Sequence, residues 1–77
     1  MNAPIAIEFR KGQKCLLVNA QNPMGVGSDE LRDMLQNEFD LMEAFDIREL
    51  PCILSSCESM GVECKIEWAE MDPEAKH

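Results

Sequence analysis

Cysteine is the residue type in this 77-residue chain with the clearest capacity for chemistry. The four cysteines, at positions 15, 52, 57 and 64, lack the two close pairs typical of a structural zinc site, so small buried thiols are the favoured interpretation and no metal is expected. Cys52 is the first candidate catalytic thiol, because Pro51 is accepted in the first turn of a helix, where the helix dipole favours a thiolate. Cys57 is the second candidate, although its deeper position in the same helix favours a core role.

Other catalytic groups are sparse in this sequence. His77 is the only histidine and tyrosine is absent, so an internal Ser–His or Cys–His pair is excluded. Gly25 and Gly27 precede a predicted helix and could present backbone amides to a phosphate. However, Asp29 and Glu30 stand where the anion would bind, and the loop contains no lysine. A structural turn is therefore the favoured interpretation, and no cofactor is expected.

The charge balance restricts the partners of this chain. It has 7 basic and 15 acidic side chains and a net charge of −8. That charge repels phosphates, so nucleic acid and anionic membranes are not expected as partners. It fits a basic protein partner or simply a solvated acidic surface. No apolar run approaches the roughly 20 residues of a membrane helix, and no secretion signal is visible. The expected location is the cytoplasm, where cysteines remain thiols.

Two strands are predicted at the start of the chain. Residues 5–9 alternate between apolar and polar side chains, which is typical of a half-buried strand. The polar turn at 11–14 contains a glycine and predicts a hairpin into the next strand. Residues 15–20 are apolar almost throughout, which indicates a central strand covered on both faces.

Two helices are predicted to follow a loop. Apolar residues at spacings of three and four predict a helix over 29–45, with Ser28 as its N-cap. A second helix is predicted over 51–60 and ends at Gly61. A short strand over 52–55 is the alternative for this segment, since Ile and Cys are also common in strands.

A last strand is predicted at 62–69 from clear alternation. The fold class is therefore α/β, a two-layer β-β-α-α-β sandwich with a three-stranded mixed sheet and two helices on one face. The strands at 15–20 and 62–69 should run parallel. Residues 1–77 form one domain, with 1–3 and 71–77 expected to fray. The apolar central strand needs cover on its second face, and a homo-oligomer would provide it.

Short motifs follow the second predicted strand. They are Met24-Gly25-Val26-Gly27-Ser28-Asp29-Glu30-Leu31, Met34-Leu35, Phe39, Leu50-Pro51 and Met60-Gly61-Val62-Glu63. Over about residues 15–68 they resemble the DsrE-like domain of selenium-metabolism and sulfur-relay proteins. The resemblance implies an α/β fold and sulfur handling by a thiol. The family is longer, and it places its cysteines after the last strand of this match. This chain has Glu67-Trp68-Ala69 there, so the resemblance assigns no active-site cysteine.

Three functional hypotheses follow from the sequence. The first is a thiol-based sulfur carrier or sulfur-relay accessory protein that uses Cys52, with Cys57 as a second thiol. The alternative is a non-enzymatic acidic adaptor or inhibitor that docks on a basic protein surface, because the net charge is negative and a catalytic set is missing. The third is a structural zinc protein.

Overall fold

A four-stranded antiparallel sheet with helices on one face forms the fold, and the computed structural model describes residues 2–70 of it. The strand order is β3-β2-β1-β4. The expected fraying of 71–77 falls outside the described residues, while Asn2 and Ala3 pair with the last strand. The elements are β1 (Asn2–Lys11), β2 (Lys14–Asn19), β3 (Asn22–Gly27), α1 (Asp29–Glu38), a 3-10 helix (Leu41–Phe45), α2 (Leu50–Met60) and β4 (Glu63–Glu70).

The prediction of a three-stranded mixed sheet is wrong. The segment predicted as a loop at 22–27 is the edge strand β3, which pairs with β2 through an irregular register. Glycine and proline obscure this strand in the sequence, because both are depleted in regular strands. β2 and β4 do point in the same direction, since each is antiparallel to β1. However, β1 lies between them, so no parallel pair forms among the described strands.

The first helix is shorter than its apolar periodicity predicts. α1 ends at Glu38, and a separate 3-10 helix follows. The Asp40 carboxylate accepts a 3.0 Å hydrogen bond from the Met42 amide and so caps the new helix, as short acidic side chains do at helix starts. The buried stripe changes as a result: Leu41 and Ala44 enter the core, whereas Met42 is 63% exposed.

The other helix boundaries confirm the sequence predictions. The Ser28 hydroxyl accepts a 3.2 Å hydrogen bond from the Leu31 amide at the start of α1. Residues 50–60 are helical, with Pro51 in the first turn, so the alternative strand is excluded. Gly61 ends α2 with a φ of 74°, a left-handed conformation that glycine adopts without steric cost.

The core lies between the helices and one face of the sheet. The opposite face, here called the open face, carries no helix. Leu17 of β2 is 43% exposed there, so a single chain covers β2 on one side only. The open face is formed by side chains that are paired across the strands: Ala6, Glu8, Arg10, Cys15, Leu17, Val26, Glu63, Lys65 and Glu67. The core consists of Ile7, Phe9, Leu16, Val18, Leu31, Leu35, Leu41, Ala44, Leu50, Ile53, Cys57 and Val62.

Candidate functional site

The four cysteines are free thiols in three different environments. Cys52 is exposed at the start of α2, whereas Cys57 is only 1% exposed and belongs to the core. Cys64 is half-buried on β4 and packs against that core. Cys15 is half-buried on the open face. The two candidate thiols of the sequence therefore do not form one site, and Cys57 is brought together with Cys64 instead.

The surroundings of Cys52 leave its thiol accessible. It is the third residue of α2, and the first turn of that helix contains no acidic side chain. Glu49 precedes the helix but makes no side-chain capping hydrogen bond. Pro51 has no amide hydrogen to offer. Cys52 is thus an exposed thiol at a helix N-terminus, as its position beside Pro51 predicts, and it has no carboxylate beside it in that turn.

Cys57 and Cys64 lie on neighbouring elements beside the same core. Cys57 is in the last turn of α2 and belongs to the core, and Cys64 is at the start of β4 and packs against that core. Interaction with Cys64, followed by burial, raises the pKa of the Cys57 thiol. Interaction with Cys57 lowers the pKa of Cys64, because a neighbouring thiol stabilises the Cys64 thiolate. Gly61 is the feature of the sequence that could have predicted this proximity, because a glycine that ends a helix lets the following strand return directly alongside it.

A second group of polar side chains lies on the open face. The Cys15 thiol donates a 3.4 Å hydrogen bond to Oε2 of Glu8, and Nη2 of Arg10 donates a 2.6 Å hydrogen bond to the same oxygen. The Arg10 hydrogen bond, followed by that of Cys15, lowers the pKa of Glu8. A carboxylate with a lowered pKa is a weak base, so this group stabilises charge rather than activating a nucleophile. Strand alternation and the hairpin register were the signals that could have identified it.

Two open depressions lie beside that group. Both are bordered by Glu8 and Lys65, which face each other across β1 and β4. The smaller has a volume of about 190 Å³ and the larger about 470 Å³. Within residues 2–70, no three His, Cys, Asp or Glu side chains lie close enough together to hold a metal ion. Charged groups of both signs border the larger depression: Glu8, Arg10, Glu63 and Lys65, together with Cys64.

Residues 28–61, here called the acidic helical layer, are rich in negative charge. This segment contains nine carboxylates and two arginines. By contrast, residues 2–27 contain one carboxylate and three basic side chains, whereas β4 contains three carboxylates and one lysine. Six of the nine carboxylates make no ion pair with any residue that the structure describes: Asp33, Glu38, Asp40, Glu43, Glu49 and Glu58.

Large apolar side chains are exposed within the same layer. Met42 is 63% exposed, Ile47 is 56% exposed and Leu54 is 41% exposed. Single exposed apolar residues are common on protein surfaces. In this layer they stand close in sequence to unpaired carboxylates such as Glu43 and Glu49, so its surface offers both charge and apolar contact. The sequence predicted the charge of this layer but not its exposed apolar side chains.

The helices in the described part of the chain are too short and too polar to cross a membrane. Comparisons with models of protein families, with curated proteins and with solved structures find no match.

Proposed function

We propose that this protein is a non-enzymatic interaction module whose acidic helical layer docks on a basic surface of a protein partner, as an adaptor or inhibitor. The contrast in charge between the acidic helical layer and the first three strands is the observation that carries this proposal. Nine carboxylates and two arginines lie in residues 28–61, whereas basic side chains predominate in residues 2–27. A surface that served only solubility would gain nothing from such a division, since mixed charges keep a protein in solution equally well.

Charge and apolar contact contribute differently to the proposed docking. Unpaired carboxylates attract a basic surface over about 8 Å at physiological salt, which accelerates encounter and selects the partner. Met42 and Ile47 supply apolar area for short-range contact once the surfaces meet. The core behind this layer is closely packed, so the layer presents a preformed surface and little ordering is required on binding.

Partner capture at increasing salt tests this proposal. The immobilised chain is exposed to a lysate of the source cells, and the bound protein is identified and quantified by mass spectrometry. The expected result is one basic partner whose yield falls steeply as salt rises. Glu38→Gln with Glu43→Gln should reduce that yield at low salt, because both carboxylates are exposed and unpaired.

The matched control removes the same charge from the sheet. Glu63→Gln with Glu67→Gln changes two exposed carboxylates on β4 and should leave capture unchanged. Equal loss in both double variants would reject a docking surface on the helices. Capture that does not respond to salt would also contradict the proposal.

A thiol-based sulfur carrier is the second candidate function. The exposure of Cys52 in the first turn of α2, without an acidic neighbour in that turn, favours it. The resemblance of residues 15–68 to the DsrE-like domain supports the same role. Cys57 remains the second thiol of this hypothesis, but its sulfur is buried and reaches a donor less readily. In this role the Cys52 thiolate would accept a sulfur atom as a persulfide and pass it to another thiol.

Mass spectrometry after incubation with a persulfide donor tests the carrier role. The wild-type chain should gain one sulfur atom on Cys52. Cys52→Ser should abolish this gain, and Cys15→Ser is the matched control that should retain it. Equal loading of all four single Cys→Ser variants would contradict the carrier role.

The setting of either function is the cytoplasm, where the four thiols stay reduced. We further propose that a second copy of the chain covers the open face. Leu17 and Val26 are exposed there and directly paired, and Leu17 borders the smaller depression together with Glu8, Lys65 and Glu67. A face that carries both positive and negative side chains can pair with the same face of a second copy under two-fold symmetry. The acidic helical layer would instead repel the acidic helical layer of a second copy.

A further inference from the structure

We propose that the outer edge of β4 pairs with the same edge of a second copy of this chain. The two β4 strands run antiparallel about a two-fold axis at Ile66 and join the two sheets into one. This contact is independent of the docking role of the helices, and it uses a different surface from the open face. It rests on the regular, unpaired backbone of β4, on the order of the charges along it, and on the exposed Trp68 beside them.

The strand β4 ends the sheet on one side. It is last in the order β3-β2-β1-β4, so no strand of residues 2–70 pairs with its outer edge. It runs for 8 residues, Glu63–Glu70, and contains neither proline nor glycine. Alternate N–H and C=O groups of an edge strand point away from the sheet and can pair with another strand. The backbone of β4 therefore offers a regular template for a further strand.

The opposite edge of the sheet, formed by β3, is less suited to pairing. It contains Pro23, Gly25 and Gly27, and its register with β2 is irregular. Proline has no amide hydrogen to donate, and irregularities of this kind protect an edge from further strands. Of the two edges, β4 is therefore the one that can accept a regular partner.

The charges along β4 indicate which strand it accepts. Glu63, Lys65 and Glu67 lie in turn along the open face. Residues opposite each other in an antiparallel pair are either both hydrogen-bonded or both not, so a two-fold axis passes through one residue rather than between two. With the axis at Ile66, Lys65 lies opposite Glu67 of the second copy, and Glu67 lies opposite its Lys65. Opposite charges at such positions stabilise a strand pair.

The neighbouring registers place like charges together. An axis at Lys65 brings the two copies of Lys65 opposite each other and also sets Glu63 against Glu67. An axis at Glu67 brings two glutamates opposite each other. Like charges directly opposite destabilise a strand pair. Registers centred farther from Ile66 pair shorter segments of β4. The charges therefore favour one register, and the partner that fits it is the same strand of a second copy.

The other side of β4 gains apolar contact in this register. Cys64 and Ile66 pack against the core, and by alternation Trp68 lies on the same side, where it is 42% exposed. With the axis at Ile66, the two Ile66 side chains meet, and Trp68 lies opposite Cys64 of the second copy. Tryptophan is enriched at protein interfaces, and covering it removes apolar surface from water. Pairing of the edges therefore gains on both faces of the sheet.

The edge contact is compatible with the proposed cover of the open face. Leu17 and Val26 lie on β2 and β3, on the far side of β1 from this edge. Two different two-fold contacts can therefore form together and give a larger assembly. Leu17→Glu removes the open-face contact and should leave the edge-paired dimer, so it serves as the background chain for the test.

Charge exchange in this background chain tests the proposal. The background chain should be a dimer in analytical ultracentrifugation. Lys65→Glu and Glu67→Lys should each raise the dimer dissociation constant at least about tenfold, because each puts like charges opposite one another at two positions. An equimolar mixture of these two variants should form a heterodimer, since unlike charges then face each other at both positions.

The matched control combines the two substitutions in one chain. Lys65→Glu with Glu67→Lys has the net charge of the background chain and restores both ion pairs in reverse, so it should dimerise. Lys65 also lies opposite Glu8 of its own chain. The double variant shares the loss of that contact with Lys65→Glu, so its recovery of pairing separates an effect on the register from an effect on folding.

Hydrogen exchange adds a readout of the backbone. Alternate amides of residues 63–69 should exchange more slowly as the concentration of the background chain rises. A monomeric background chain, single variants that dimerise as tightly as it does, a mixture that stays monomeric, or β4 amides whose exchange does not respond to concentration would each overturn the proposal. None of these results bears on capture of a basic partner.

Discussion

The Ser28 amide donates a 2.9 Å hydrogen bond to the carbonyl oxygen of Cys15, which fixes the start of α1 against the edge of β2. Gly27 immediately precedes Ser28 and has a φ of 143°. A Cβ atom on Gly27 would overlap the same Cys15 carbonyl oxygen. The glycine that precedes the helix is therefore required by a close approach of two backbones.

Gly27→Ala should destabilise the protein strongly, and Gly12→Ala should serve as its control. Gly12 also has a positive φ, 60°, but a Cβ atom there meets open space. We expect Gly12→Ala to cost about 1–2 kcal/mol, the usual cost of a left-handed conformation. Gly27→Ala should cost about 3 kcal/mol or more, because steric overlap with the backbone is added. Urea unfolding measures both, and equal losses would contradict this view of the β2–β3 edge.

Two isoleucines of the helical layer differ in burial: one belongs to the core and the other lies on the proposed docking surface. Ile53 is 2% exposed in α2, whereas Ile47 is 56% exposed. Ile53→Ala should lower the free energy of unfolding by about 2–5 kcal/mol. Ile47→Ala should change it by less than about 0.5 kcal/mol while reducing capture of the basic partner. If Ile47→Ala left capture intact, the proposal that apolar contact at Ile47 contributes to docking would be contradicted.

Arg10→Gln should raise the pKa of Glu8. The Arg10 guanidinium hydrogen bond is the main cause that holds this pKa below its ordinary value of 4.5. A carboxylate with a lowered folded-state pKa stabilises the fold fully above the unfolded pKa. That stabilisation is lost as the pH falls through the lowered value. NMR titration of the Glu8 carboxyl carbon should show a higher midpoint in Arg10→Gln, and an unchanged midpoint would contradict the ion pair.

Cys57→Ala should shift the reactivity of Cys64 to higher pH. In the wild-type chain, interaction with the Cys57 thiol lowers the pKa of Cys64, so its thiolate forms at lower pH than that of an ordinary thiol. Removing the Cys57 thiol leaves burial as the remaining influence on Cys64, and burial raises the pKa of a thiol. Site-resolved alkylation rates against pH should show the shift for Cys64 alone. Cys52→Ala is the control, with no change expected at Cys64.

Leu17→Glu should prevent association of the chain through its open face. Leu17 is 43% exposed and faces Val26 across β2 and β3. A carboxylate there would be buried against a second copy without a partner and would weaken the dimer. Leu54→Glu, at a similarly exposed position of the acidic helical layer, should not. Analytical ultracentrifugation measures both, and a wild-type chain that stays monomeric at high concentration would contradict the proposed homodimer.

The sequence correctly predicted the helix boundaries that depend on local backbone hydrogen bonding. Ser28, Pro51 and Gly61 mark helix boundaries because each satisfies or omits a backbone hydrogen bond locally. β3 was missed because its pairing depends on β2, and Gly25 and Gly27 give no strand signal. The interruption of α1 was missed because Asp40 competes with a continuous apolar periodicity. The positions of the thiols were predicted only in part. Cys52 and Cys57 were correctly placed on the second helix, but the proximity of Cys57 and Cys64 arises from tertiary packing.

The pairing of β1 with β4 has a consequence for how the chain reaches this structure. Asn2 lies opposite Glu70, so the first and last strands are neighbours although the rest of the domain separates them in sequence. The β1–β2–β3 meander can form early from local contacts, but one edge of β1 stays unpaired until β4 has been synthesised. During translation that edge is a template for wrong strand pairing. We therefore expect the last step of folding to be the docking of β4, with a rate that reports closure of the longest loop in the molecule.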